Sequence, residues 1–417
     1  MHRLKIVALV VGVVVVVALV AVGVKVFVSS NQVAQQQKQL QPFYDIANPI
    51  RAGQPGNLIQ FEPITGLAIS GASAFRVLYG SQDPDGTARV TSGMVFIPTA
   101  AAPATGRPVV AWAHPTTGLG PQCAPSRSGK ELADMDWLQG MLDKGWIVTA
   151  TDYSGLGTTG TSLYLVGQAE ARDVINSVRA VGSLPNSHAG SRYAVWGHSQ
   201  GGHASLFVGE ISATYAPELT LVGVAAAAPA VELASLFSQQ WKQPVSWIIG
   251  SQVMVSWPTV NPALTAAQIA SPAGLANYRT IAMDCIQKAG LIGLVRTHLG
   301  QKIFEQDPTT HPDWSAMMAA QTPVPLPPSV PVFIGQSTSD GVVLANSIAL
   351  MQDKWCKAGS ALSILWLGPL ATGPNGPIIT HGLEAKVAGP AATAWIQDRF
   401  NSLPAPNTCD APPPPLP

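Results

Sequence analysis

The stretch Tyr-Ala-Val-Trp-Gly-His-Ser-Gln-Gly-Gly-His-Ala-Ser-Leu-Phe-Val-Gly-Glu, Tyr193 to Glu210, leaves few folds open to this chain. Its first residues are apolar and suit a strand, those after Gly202 suit a helix, and Gly197-His198-Ser199-Gln200-Gly201 falls at the join. A G-x-S-x-G pattern between strand and helix reads as a nucleophile elbow, a sharp turn that holds its serine in a strained conformation. The glycines two residues either side are needed because a Cβ there would collide with a neighbouring strand or helix. Ser199 is then pushed clear of the sheet edge. The next amide, on Gln200, sits at a helix N-terminus, where a free N–H and the helix dipole favour an oxyanion.

An elbow serine needs a base and an acid, and in folds built around this turn they follow it in the order serine, acid, histidine. Val330 to Gln336 reads as a buried strand and Leu344 to Trp355 as a helix, so Asp340 lies in the loop between them. Asp307, Asp313 and Asp353 are the alternative acids, the first two in a region without strands and the third inside a helix. The last strand, Leu362 to Leu367, leads through a proline and glycine loop to Thr380-His381-Gly382-Leu383 and a closing helix through Phe400. His381 is therefore the expected general base, with Asp340 holding its tautomer. His198 and His203 belong to the elbow itself, His114 and His188 precede the serine, and His298 and His311 fall in the strand-free region. Asp152 also precedes the serine and reads as structural, bonding the glycine-rich loop Tyr153 to Gly157.

The other strands are Ala74 to Tyr79 and Ala88 to Ile97, joined by the turn Asp83-Pro84-Asp85-Gly86, then Pro108 to Ala113, Trp146 to Thr151 and Leu221 to Ala228. Helices are expected at Leu132 to Lys144 and at Gly167 to Val181, where Ala171, Val174, Ile175 and Val178 share a face. On the second helix Arg172, Asp173 and Arg179 read as solvated. This alternation predicts an α/β fold with a mostly parallel central sheet flanked by helices. After the third strand comes His114-Pro115-Thr116-Thr117-Gly118. Pro115 has no N–H, so a second oxyanion donor falls to Thr116, with Thr117 as the alternative; a plain turn with a packed histidine is the competing reading. Residues 231–325 break the rhythm with helical stretches and scattered prolines, and read as a helical cap inserted between two strands.

The chain has 417 residues, zero formal net charge and only 11% charged residues, which speaks against a nucleic-acid partner and for a neutral or apolar substrate. Ile6 to Val24 is an uncharged run long enough to span a bilayer, preceded by Arg3 and Lys5. That flank predicts a cytoplasmic N-terminus with the remainder exported, as a signal anchor or, if cleaved, a signal peptide. Gln35 to Gln41 reads as a polar stalk. Four cysteines in an exported chain favour two disulfides, and three pairings are open. Cys123 with Cys285 and Cys356 with Cys409 is the favoured pairing, since the second bond would tie the proline-rich tail to the body. No C-x-x-C pattern calls for a metal, and the chemistry requires no cofactor.

The chain resembles the secretory lipase family, α/β-hydrolases of fungi and actinobacteria that act on triacylglycerols and related esters. The resemblance rests on the His114 to Gly118 segment with Cys123-Ala124-Pro125-Ser126, on Asp152 to Gly157, on Gly197 to Gly202, and on the Asp340 and His381 segments. It implies an α/β-hydrolase fold, Ser199 as nucleophile, Asp340 as acid, His381 as base and a helical lid between the sixth and seventh strands. It departs at Pro115, where glycine is commoner. The expected organisation is a signal anchor or signal peptide at 1–29, a stalk and lead-in at 30–56, a hydrolase core at 57–230 and 326–402, the cap at 231–325, and a proline-rich tail at 403–417. The expected function is an exported serine lipase or esterase working through an acyl-enzyme on Ser199, with a lipid or acyl ester as substrate. An acyltransferase, a serine peptidase and a non-catalytic surface binding protein are the alternatives.

Overall fold

The computed structural model describes residues 35–45 and 54–416. The apolar run at 6–24, with the anchor expected there, lies outside these residues. Among the described residues no helix is long and apolar enough to cross a membrane.

Nine strands form one sheet in the order β1-β2-β3-β5-β4-β6-β7-β8-β9. They are β1 (Leu58–Ile64), β2 (Ala72–Gln82), β3 (Ala88–Pro98), β4 (Arg107–Ala113), β5 (Ile147–Thr151), β6 (Ala189–His198), β7 (Thr220–Ala227), β8 (Val332–Ser337) and β9 (Leu362–Leu367). The first four in spatial order pair antiparallel and the rest are parallel. Between β4 and β6 the strand order reverses, and ligands of open α/β sheets collect outside the carboxyl ends of strands at such a point. Ala113 pairs with Gly197, so the chain leaving β4 and the chain leaving β6 emerge side by side at that crevice.

Helices cover both faces. Residues 35–44 are helical (α1), followed by α2 (Leu138–Leu142), α3 (Gly167–Val181) and α4 (Gln200–Tyr215). Then come α5 (Leu233–Gln240), α6 (Val245–Ser256), α7 (Pro272–Met283), α8 (Ile286–His298), α9 (Pro312–Ala320), α10 (Ala345–Lys357) and α11 (Gly376–Phe400). The core on one side joins α3, α4 and α10 to the sheet, and that on the other joins α2 and α11. All of α5 to α9 lies between β7 and β8. Because β1 adds a strand that the sequence reading lacked, this insertion follows the seventh strand, the one counted there as sixth.

Four further local readings change. Of the helix expected at Leu132 to Lys144 only α2 forms, since Asp134 takes a left-handed conformation (φ 62°) that interrupts it. The expected stalk is part of α1 and is docked: Gln37 donates to the Arg127 carbonyl at 2.7 Å, Arg127 donates to Gln41 at 2.9 Å, and Phe43 and Tyr44 are buried against Leu78. Asp173, read as solvated, is 3% exposed. Its carboxylate accepts from the Ser154 amide and hydroxyl, both at 2.7 Å, and from Ser81 and Thr91, and burial pushes its pKa up to about 6. Arg172 and Arg179 are likewise engaged, the first donating to the Asp83 carbonyl and the second to Glu218 at 2.6 Å.

Both favoured disulfides are formed, Cys123–Cys285 and Cys356–Cys409. The first stitches the segment after β4 to the α7–α8 junction, alongside backbone bonds from Leu119 to Ala282 (2.7 Å) and from Ile286 to Thr117 (2.9 Å). The second ties the tail to α10. In the chain-entropy picture their separations of 162 and 53 residues correspond to about 5 and about 4 kcal/mol. Urea unfolding is expected to show losses of that order for C123S/C285S and C356S/C409S. Esterase assays should find activity impaired in the first, whose bond braces the Thr116 loop, and retained in the second.

Candidate active site

Ser199 occupies the join between β6 and α4 with φ 56° and ψ −116°, a left-handed-side conformation rare for a residue with a side chain. Its surroundings over-determine it. A Cβ on Gly197 would strike the Gly201 carbonyl, and one on Gly201 would strike the Ala113 carbonyl of β4. At Gly202 a Cβ would come 2.8 Å from the Pro229 Cα, so the start of α4 packs against the chain leaving β7 only without it. The Ser199 amide donates to the Ala227 carbonyl at 2.9 Å.

The elements bring the three expected side chains together. His381 Nε2 lies 2.9 Å from Ser199 Oγ, and His381 Nδ1 lies 2.7 Å from Asp340 Oδ2. Asp340 follows β8, as expected. Its Oδ1 accepts from the amides of Val342 (2.7 Å) and Val343 (3.1 Å), which fixes the carboxylate at the start of a turn. His381 differs from expectation in its setting: it sits within α11, not in a loop before it. Pro377 lies in the first turn of that helix, where its fixed φ suits a helix start. Of the alternative acids, Asp307 caps a turn through Thr309 (2.9 Å), Asp353 pairs with Lys357 (2.7 Å), and Asp313 is exposed in the first turn of α9.

Gln200 begins α4, and its amide has no hydrogen-bond partner among the described residues. Its side chain is held by buried Glu170, whose Oε1 accepts from Gln200 Nε2 at 2.6 Å and from the Leu165 amide at 3.0 Å. Thr116 faces the same cleft as Ser199 and His381, with its hydroxyl 3.0 Å from that of Tyr164. Thr117 is instead turned toward α8, its carbonyl taken by Ile286. His114 is a packed histidine, 3% exposed, with its ring against Tyr153 and its nitrogens at the Pro115 and Asp152 carbonyls. Asp152 is structural in its contacts, accepting from the Ser126 amide (2.9 Å) and the Ser92 hydroxyl (2.6 Å).

Two openings meet at Ser199. One is an apolar slot beneath the insertion, walled by Leu233, Leu236, Phe237, Ile249, Gly250 and Phe304. The other is a cleft bordered by Thr116, Asp134, Ile248, Ile286, Ile378 and His381. Val245 and Ile249 of α6 line both, so this helix stands over the serine.

The sequence pattern sets His198 aside as part of the elbow and does not single out Glu170 or Glu384. His198 stacks on His381 with ring centroids 4.9 Å apart, and burial, then the neighbouring His381, push its pKa well below the ordinary value. Glu170 braces Gln200. Glu384 is fully buried one turn beyond His381; its signal was its place on the α11 face that carries Ala385 and Ala388. Among the described residues no group of three or more His, Cys, Asp or Glu is arranged to hold a metal.

A profile of the family described as Secretory lipase matches residues 128–408, well over half of the chain. The chain belongs to the secretory lipase family. Lipase 9 of Candida albicans is 24% identical over 415 aligned positions, covering 89% of this chain and 84% of that protein. Among solved structures, the rice cell wall degrading esterase LipA of Xanthomonas oryzae superposes with a TM-score of 0.71 at 17% identity, covering 83% of this chain and all of the other. Candida antarctica lipase A gives 0.70 at 17% identity over 90% and 89%. The fold is thus that of the α/β-hydrolases, with inserted helices. This secretory lipase is a serine-type hydrolase of the lipase and esterase class, acting on carboxylic esters, and is an exported protein.

Proposed function

We propose that this secretory lipase hydrolyses acyl esters through a covalent intermediate on Ser199, with His381 as general base and Asp340 as the acid that orients it. The observation carrying this reading is the unbroken chain of contacts from Ser199 Oγ through both nitrogens of His381 to Asp340. Asp340 holds the proton on Nδ1, leaving the Nε2 lone pair to take the serine proton as Oγ attacks the ester carbonyl. The amides of Gln200 and Thr116 receive the oxyanion, each worth about 3–4 kcal/mol of barrier. His381 then protonates the departing alcohol, and water, activated the same way, releases the acid.

The apolar slot is read as the seat of the acyl chain and the wider cleft as the seat of the alcohol. In this reading residues 231–325 form a cap that shields the reaction from water, and residues 6–24 anchor the exported enzyme to a membrane. The slot makes a specific demand at Gly250, where an added Cβ would meet Phe304 Cζ at 2.5 Å. Gly250→Leu is expected to shorten the slot and lower the ratio of long-chain to short-chain kcat/KM by about ten-fold or more. Hydrolysis of p-nitrophenyl esters from acetate to palmitate reads that ratio, and equal losses at all lengths would place the acyl chain elsewhere.

The same ester series, run beside matched anilides and with a competing alcohol, tests the proposed activity. Release of free acid from esters in large excess over ester exchange and amide cleavage is expected. Predominant exchange would make the enzyme an acyltransferase, and comparable amide cleavage a peptidase.

A further inference from the structure

Glu384 lies three residues after His381 on α11, so the two side chains leave adjacent turns of one helix face. The residue is fully buried, and neither carboxyl oxygen completes a well-aligned hydrogen bond to an N–H or O–H among the described residues. Beside it lie the carboxyl of Asp340 and the backbone amide of Ser337. Asp340 already receives the amides of Val342 and Val343 on one oxygen and the His381 imidazole on the other. Two carboxylates facing each other in a dry corner do not both ionise. Three N–H donors stabilise charge on Asp340, while on Glu384 only the Ser337 backbone amide acts in that sense, so the shared proton belongs to Glu384. Burial and then the charge of Asp340 push the Glu384 pKa far above the carboxylate range.

We propose that Glu384 is a neutral carboxylic acid that donates its hydroxyl hydrogen to Asp340 and thereby positions the Asp340–His381 pair. The inference rests on the triad reading above and extends it by one residue. As a neutral donor Glu384 fixes the carboxylate plane of Asp340 without adding charge beside His381. Its ionisable surroundings are Asp340 from the loop after β8, His381 on its own helix, and His198 stacked on His381 from the elbow. Lys386, two residues on, points outward to Asp136. Because Glu384 and His381 share α11, the base and the support for its acid move together.

The test compares wild type, E384Q, E384L and S199A. Gln keeps an N–H donor of similar length, and Leu removes it at similar volume. E384Q is expected to keep most of the wild-type kcat, and E384L to lose about ten-fold or more in kcat with little change in KM, the scale of a hydrogen bond to a charged group. The acid limb of the pH profile of kcat/KM should not move in E384Q. An ionised Glu384 would stabilise the His381 cation, and its removal would shift that limb down by about one unit or more. Infrared difference spectra of wild type minus E384Q at pH 8 should contain a protonated-carboxyl band. A downshifted limb, or the absence of that band, overturns the proposal even if E384L does not fold. E384L matching wild type while S199A loses nearly all activity also overturns it and leaves the triad intact; activity near wild type in S199A would defeat the triad reading itself.

Discussion

Ser199→Ala is expected to lower kcat for ester hydrolysis on the order of a million-fold while the protein stays folded. The size follows from the arrangement. Without Oγ there is no atom to form the acyl-enzyme, and His381 has nothing to deprotonate at 2.9 Å. What survives is the proposed oxyanion site at Gln200 and Thr116, together with substrate binding in the proposed acyl slot. Those two act without the nucleophile, so residual catalysis above the uncatalysed rate is expected to persist. The fold should tolerate the change because the Ser199 hydroxyl is bonded only to His381 among the described residues. The backbone turn is enforced by Gly197, Gly201 and Gly202. Steady-state kinetics with a thermal melt as control checks both halves of the expectation.

Asp340→Asn is expected to cost about ten-thousand-fold in kcat, with KM little changed. Asp340 Oδ1 accepts two backbone N–H groups, from Val342 and Val343. An asparagine there must turn its carbonyl oxygen to those amides, which places its NH2 opposite His381 Nδ1. Nδ1 then has to accept, the ring proton moves to Nε2, and Nε2 no longer has a lone pair for the Ser199 hydroxyl. The effect is one of tautomer more than of charge. Asp340→Glu, which keeps the acceptor but moves it, should be partly active where Asn is not. Equal activities in the two variants would contradict this origin of the effect.

Much of the scaffold was legible in the sequence because buried parallel strands are short apolar runs. β5, β8 and β9 are of this kind, and α3 carries a clear apolar face. β1 escaped notice because it is a half-exposed edge strand containing Pro63, a residue that argues against a strand until the edge is known. Residues 368–377, rich in proline and glycine, read as a loop up to His381, and Pro377 instead helps start α11. Ser199, Asp340 and His381, which meet in the structure, were singled out by their order along the chain.

The supporting residues were hidden for a common reason. Asp173, Glu170 and Glu384 all sit on helices, where a carboxylate reads as solvated. The groups that bury or brace them come from distant strands and loops: Ser81, Thr91 and Ser154 for Asp173, Gln200 for Glu170, Asp340 for Glu384. Periodicity along one helix does not register such partners. The tail itself pointed to Cys356–Cys409, and the backbone bonds around Cys123 and Cys285 show what the other disulfide braces.

Labelling with a fluorophosphonate, followed by peptide mapping, addresses the nucleophile most directly. One adduct, on the peptide carrying Ser199, appearing in step with the loss of esterase activity and absent from His381→Ala at short times, is the expected result. An adduct on a different serine, or full activity after Ser199 has been modified, would contradict it.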